Sequence, residues 1–93
     1  MVLSKEKQEI RDSILGYEKR IDEMHLAFQK YQAGEENIIP EWEKLEREML
    51  VFSRRKIVDF ELSKQLDRVM YKFQNRKKIW LKWVEEVHLA GEY

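Results

Sequence analysis

Seven apolar residues, Ile10, Ile14, Tyr17, Ile21, Met24, Phe28 and Tyr31, follow one another at alternating spacings of four and three. This pattern constrains the fold more than any other feature of the chain. A mean spacing of about 3.5 residues is the period of an α-helix packed at a shallow angle along another long helix, whereas strand alternation has a period of two. The seam predicts a helix over about residues 4–32. Ser4 is a candidate N-cap, and Glu6 lies in the first turn, where the helix dipole favours negative charge. Leu15 and Leu26 widen the stripe toward a bundle-type face. Gly16 costs about 1 kcal/mol relative to alanine in a helix interior; it either permits close approach of a neighbour or is simply tolerated. Ala33-Gly34 is the expected stop.

Glu35 to Ile39 reads as a loop. Pro40 then falls in the first turn of a second helix, over about residues 40–56, where proline is accepted and where Glu41 and Glu43 suit the dipole. Its apolar positions are Trp42, Leu45, Met49 and Phe52, and Glu43 with Arg47 forms an i,i+4 pair. Arg54-Arg55-Lys56 suits a helix C-terminus, and Asp59 is a candidate cap for the next helix. Extending one heptad through this region would place Lys56, Asp59 and Ser63 at core positions, so a turn around Lys56 to Asp59 is expected. A third helix, about residues 59–89, presents Leu62, Leu66, Val69 and Phe73. Arg76, Lys77 and Lys78 interrupt its stripe. A second apolar set follows, Trp80, Trp83, Val84 and Val87, flanked by Ile79 and Leu81, before Gly91 ends the helix. The expected fold is all-α: a single domain over residues 1–93, an antiparallel bundle or long hairpin of three helices with coiled-coil-like seams, completed by dimerisation.

Composition narrows the functional classes. The chain has 93 residues, 39% of them charged, with 18 basic and 18 acidic side chains. No net field therefore favours nucleic acid. The absence of cysteine excludes disulfides and thiolate chemistry and fits a reducing, cytoplasmic location. No apolar run approaches the ~20 residues of a membrane span, and the N-terminus lacks the apolar core of a signal peptide.

Helix lengths point to an interaction surface. The first and third helices, at about 30 residues each, would be ~45 Å long, and the second ~25 Å. If consecutive helices are antiparallel neighbours, the third outruns the second near Arg76. Trp80, Trp83, Val84 and Val87 then lack a partner in the same chain. Such a patch usually marks an interaction site, and a two-fold homodimer is the simplest closed solution. The alternatives are another helical protein as partner, or a sharp break at Gln74 to Arg76 that folds the tail back as a fourth helix. Lys72, Arg76, Lys77, Lys78 and Lys82 beside Trp80 and Trp83 also suggest a nucleic-acid or membrane-surface patch. Glu85 and Glu86 follow at once, however, which favours a solvated rim around a protein interface.

No catalytic motif stands out, and no cofactor is expected. Asp22 with His25 and Glu85 with His88 have i,i+3 spacing, but neither pair assembles the four ligands of a closed zinc site, so no metal is expected. One stretch, Phe60-Glu-Leu-Ser-Lys-Gln-Leu-Asp-Arg-Val-Met-Tyr-Lys-Phe73, resembles the signature helix of the small sporulation-regulator aspartyl-phosphate phosphatases. These are helical hairpins with a Ser-Gln-x-Leu-Asp motif before an aliphatic pair and an aromatic. Ser63, Leu66 and Asp67 match, Val69, Met70 and Phe73 fit the pattern, and Lys64 stands where the family has glutamine. The resemblance implies that Ser63 and Asp67 act on a phosphorylated response regulator that supplies its own metal. The residues themselves favour a non-enzymatic, regulatory interaction module.

Overall fold

The structure, a computed structural model, describes residues 4–90. Three helices follow in order: α1 Ser4–Gln32, α2 Trp42–Ser53 and α3 Phe60–Ala90. They form a rod with extents of 62 × 18 × 17 Å. Ser4, the candidate N-cap, is the first residue of α1, and the stop expected at Gly91 lies outside the described residues.

The seam of α1 faces inward. Ile10, Ile14, Ile21, Phe28 and Tyr31 are buried, and Tyr17 and Met24 are half-buried. α2 adds Leu45, Met49 and Phe52, and α3 adds Leu62, Leu66, Val69, Phe73 and Trp80. Apart from Tyr31, these buried side chains form one continuous cluster. Each large apolar side chain fully withdrawn from water contributes about 1.5–3 kcal/mol.

The direction of the helices follows from who meets whom. Lys7 pairs with Asp59 at 2.9 Å, Lys72 with Asp22 at 2.8 Å, and the Phe28 and Trp80 rings stack with centroids 4.9 Å apart. α1 and α3 are therefore parallel, and their offset is 52 residues at both ends (7 to 59, 28 to 80). α2 returns antiparallel between them. Its C-terminal Phe52 meets Tyr17, at a ring distance of 5.3 Å, and its Glu46 reaches Lys77 at 2.7 Å.

The helix ends explain these boundaries. Gly34 has φ +83°, a left-handed conformation that glycine adopts without steric cost. Its N–H donates to the Tyr31 carbonyl and that of Glu35 to the Lys30 carbonyl, the Schellman pattern that satisfies the last carbonyls of α1. Asp59 starts α3. Its Oδ1 accepts the Leu62 N–H at 3.0 Å, and its other oxygen pairs with Lys7. The Leu62 N–H first, and Lys7 next, hold the Asp59 carboxyl below its ordinary value.

α2 is shorter than the expected span of residues 40–56. Glu41, at φ −78° and ψ 68°, forms an inverse γ-turn in which the Trp42 N–H donates to the Pro40 carbonyl. Pro40 therefore precedes the helix and is not in its first turn. At the other end the Ser53 hydroxyl donates to the Leu50 carbonyl, and Arg54 and Arg55 make tighter i,i−3 bonds. These close α2 before Lys56. The turn expected around Lys56 to Asp59 is present, and α3 then runs unbroken to Ala90, with no kink at Gln74 to Arg76.

Leu15 and Leu26 do not widen the buried stripe, being 46% and 59% exposed. Two neighbours cover only the central stripe of α1 and leave its flank in water. Around Gly16 nothing lies within 4 Å of where a Cβ would stand, so no close approach requires glycine there. Gly16→Ala should accordingly raise the unfolding free energy by about 1 kcal/mol. Gly34→Ala should lower it by about 1–2 kcal/mol through left-handed strain. Urea denaturation followed by helical circular dichroism measures both, and a Gly16→Ala loss would contradict the open packing.

Candidate functional site

The residues expected at the interface divide into two groups. Trp80 does not belong to an exposed patch: it is fully buried within its own chain. Its ring stacks on Phe28 at an interplanar angle of 5° and meets Phe73 edge-on at 5.7 Å. Its indole N–H donates to Nδ1 of His25 at 3.0 Å. The reason is the parallel register. α3 does outrun α2 near Lys77, whose ammonium lies 4.9 Å from the Trp42 ring at the start of α2. α1, however, runs beside α3 from the same end and continues to Gln32, which is level with Val84. The antiparallel length comparison left out this third-to-first contact. One sequence signal marks it: Leu62, Leu66, Val69, Phe73, Arg76, Trp80, Trp83 and Val87 continue the four-three spacing, with Arg76 as the only polar member.

Trp83, Val84 and Val87 are only half-buried. Trp83 lies against His25, ring to ring at 5.4 Å, and with Val84 borders the core cluster. Beyond the level of Gln32, α3 continues for residues 85–90 without α1 beside it. Leu81 and Leu89 are 42% and 51% exposed on this end, and Ile79 is 36% exposed. An exposed apolar set thus remains, smaller than expected and centred past Trp80.

His25 is the residue that sequence reasoning missed. It was assigned only as a half of a weak metal-ligand pair, and nothing in the local spacing connects it to Trp80. In the structure Asp22 is held by Lys72 and His25 by Trp80. Burial lowers the His25 pKa from its ordinary value, Arg76 lowers it further, Asp22 opposes this, and Lys72 adds to the lowering. Arg76 itself is half-buried, with its Nε shielded from solvent and without a hydrogen-bond partner.

The basic block is dispersed. Lys72 pairs with Asp22 and Glu18 on α1, and Lys77 with Glu46 on α2. Lys78 and Lys82 are exposed and, among the described residues, have no ion-pair partner. Among the described residues no helix is long and apolar enough to cross a membrane. On the first turns of α3, Ser63 is half-buried and Asp67 exposed. A shallow depression there is lined by Phe60, Glu61, Lys64, Asp67 and Arg68, without Ser63, and the Lys64 ammonium lies 4.7 Å from the Phe60 ring.

The fold and this end define an elongated three-helix rod with a partly uncovered aromatic terminus. Compared with protein-family models, curated proteins and solved structures, the chain has no match.

The two tryptophans should separate in mutagenesis. Trp80→Ala removes a fully enclosed ring and should cost about 3–5 kcal/mol of stability. Trp83→Ala, at a half-buried position, should cost clearly less. Equal losses in urea denaturation would contradict the assignment of Trp80 to the core and Trp83 to its margin.

Proposed function

We propose that the chain is a small protein–protein interaction module that self-associates through the free end of α3. The observation that carries this reading is Trp83 and Val87, half-buried on the inward-facing stripe of α3 as it runs out past the last turn of α1, with Leu81 and Leu89 exposed on the opposite side. An apolar stripe that outruns its partner helix usually marks a contact site, and an isologous two-fold pair covers it on both copies. A short chain with a narrow core also gains stability from association.

The flanking charges favour one orientation. Lys78 and Lys82 precede Glu85 and Glu86 along the same end, and all four are exposed. Two such ends laid antiparallel bring lysines beside glutamates twice, whereas a parallel pair opposes like charges. The same pattern supports the view of these lysines as rim and not as a nucleic-acid or membrane determinant, since acidic residues share the surface. A regulatory role follows if association controls what the rod presents to other proteins.

Sedimentation equilibrium tests this. The wild type should show twice the 11.5 kDa mass of the chain. Val87→Glu should return it to a monomer while helical circular dichroism is unchanged. A wild type that stays monomeric at high micromolar concentration would sink the reading.

A further inference from the structure

We propose that His25 and Trp80 form a proton-operated latch, which holds the far end of α3 on α1 at neutral pH and releases it in mild acid. The device regulates the same end to which self-association is assigned. It rests on that reading for its consequence, but not for its operation.

An indole N–H is a donor only, and an imidazole nitrogen accepts only when it carries no proton. The Trp80 N–H points at Nδ1 of His25 from 3.0 Å. His25 is therefore neutral in the folded chain, with its proton on Nε2. Adding a proton to Nδ1 sets two donors face to face and leaves a buried indole N–H without an acceptor, a costly state.

Burial and Arg76 act in the same direction, with Asp22 opposed to them. From α3, Arg76 and Lys72 face the ring. From α1 comes Asp22, whose carboxylate is held by Lys72, which also approaches Glu18 at 3.8 Å. From α2, Glu46 is bound to Lys77. An imidazolium here is opposed first by burial and then by Arg76; Asp22 favours it, and Lys72, paired with Asp22, adds a smaller repulsion. Folding thus favours neutral His25. The stability contributed is present above the unfolded value of about 6.5. It is lost as pH falls from there toward the lowered folded value.

The position makes this bond a latch and not merely a core contact. Past Lys77, α2 no longer accompanies α3, so the last turns of α3 are held by α1 alone. The side-chain contacts that hold that region include the Phe28 stack, the His25 bond and the approach of Trp83 to His25. The core from Tyr17 to Phe73 has all three helices around it and does not depend on His25. Release at the far end would uncover Phe28 and Trp80 beside the residues proposed to associate.

Nuclear magnetic resonance on the full chain between pH 7.5 and pH 5 tests the latch. The Trp80 indole N–H signal should shift and exchange faster with solvent as His25 titrates, with a midpoint below the ordinary imidazole value. His25→Gln retains an acceptor oxygen and does not titrate, so it should abolish the response. His88→Gln should retain it. An indole signal unchanged across this range, or a full response in His25→Gln, overturns the proposal. Should His25→Gln fail to fold, the wild-type tautomer decides: His25 protonated on Nδ1 at neutral pH overturns the latch, and protonation on Nε2 supports it. Sedimentation of the same samples separates the two readings, because a monomer at both pH values removes self-association while the indole signal still judges the latch.

Discussion

The stack of Trp80 on Phe28 is the contact on which the far half of the molecule depends. α2 has 12 residues, against 29 in α1 and 31 in α3. At ~1.5 Å per residue the middle helix spans less than half the length of its neighbours. The rod is a three-helix bundle only where α2 is present. Elsewhere two parallel helices must exclude water by themselves, and small side chains bury too little area to do so. The large rings of Phe28, Phe73 and Trp80, with His25 closing the remaining polar valence of the indole, supply the enclosed volume that a third helix provides in the middle.

Charge distribution follows the same architecture. The lysines of α3 are shared out, Lys72 to α1 and Lys77 to α2, while Arg20 of α1 pairs with Glu48 of α2. Each pair is partly exposed and so contributes about 0–1 kcal/mol. Their more important effect is on register, since a slip of one residue would separate them all. Near the free end of α3, Lys78 and Lys82 stand beside Glu85 and Glu86, all four exposed.

Much of this was legible in the residues. The four-three spacing of α1, the stop at Gly34 and the cap at Asp59 all have local causes, and the three helices stand where those signals put them. Pro40 misled by two residues because a γ-turn at Glu41 delays the helix. Leu15 and Leu26 misled because hydrophobicity alone does not reveal how many neighbours a helix has. The largest difference concerned Trp80. Treating Arg76 to Lys78 as the end of a stripe hid the fact that Trp80 stands one heptad after Phe73. The hydrogen bond from Trp80 to His25 spans 55 residues of sequence and has no local signature at all. Trp83 and Val87, by contrast, retain part of the exposure that their place at the end of a long helix implied.

The far half of the molecule stands on Trp80 being packed within its own chain. Isotope-filtered nuclear Overhauser measurements on a mixture of labelled and unlabelled protein test this directly. Contacts from the Trp80 ring to Phe28 and His25 should be intramolecular, seen in the uniformly labelled sample and absent from the spectrum selecting contacts between labelled and unlabelled copies. Trp80 contacts to Phe28 found only between copies would contradict the parallel α1–α3 register and return Trp80 to the interface.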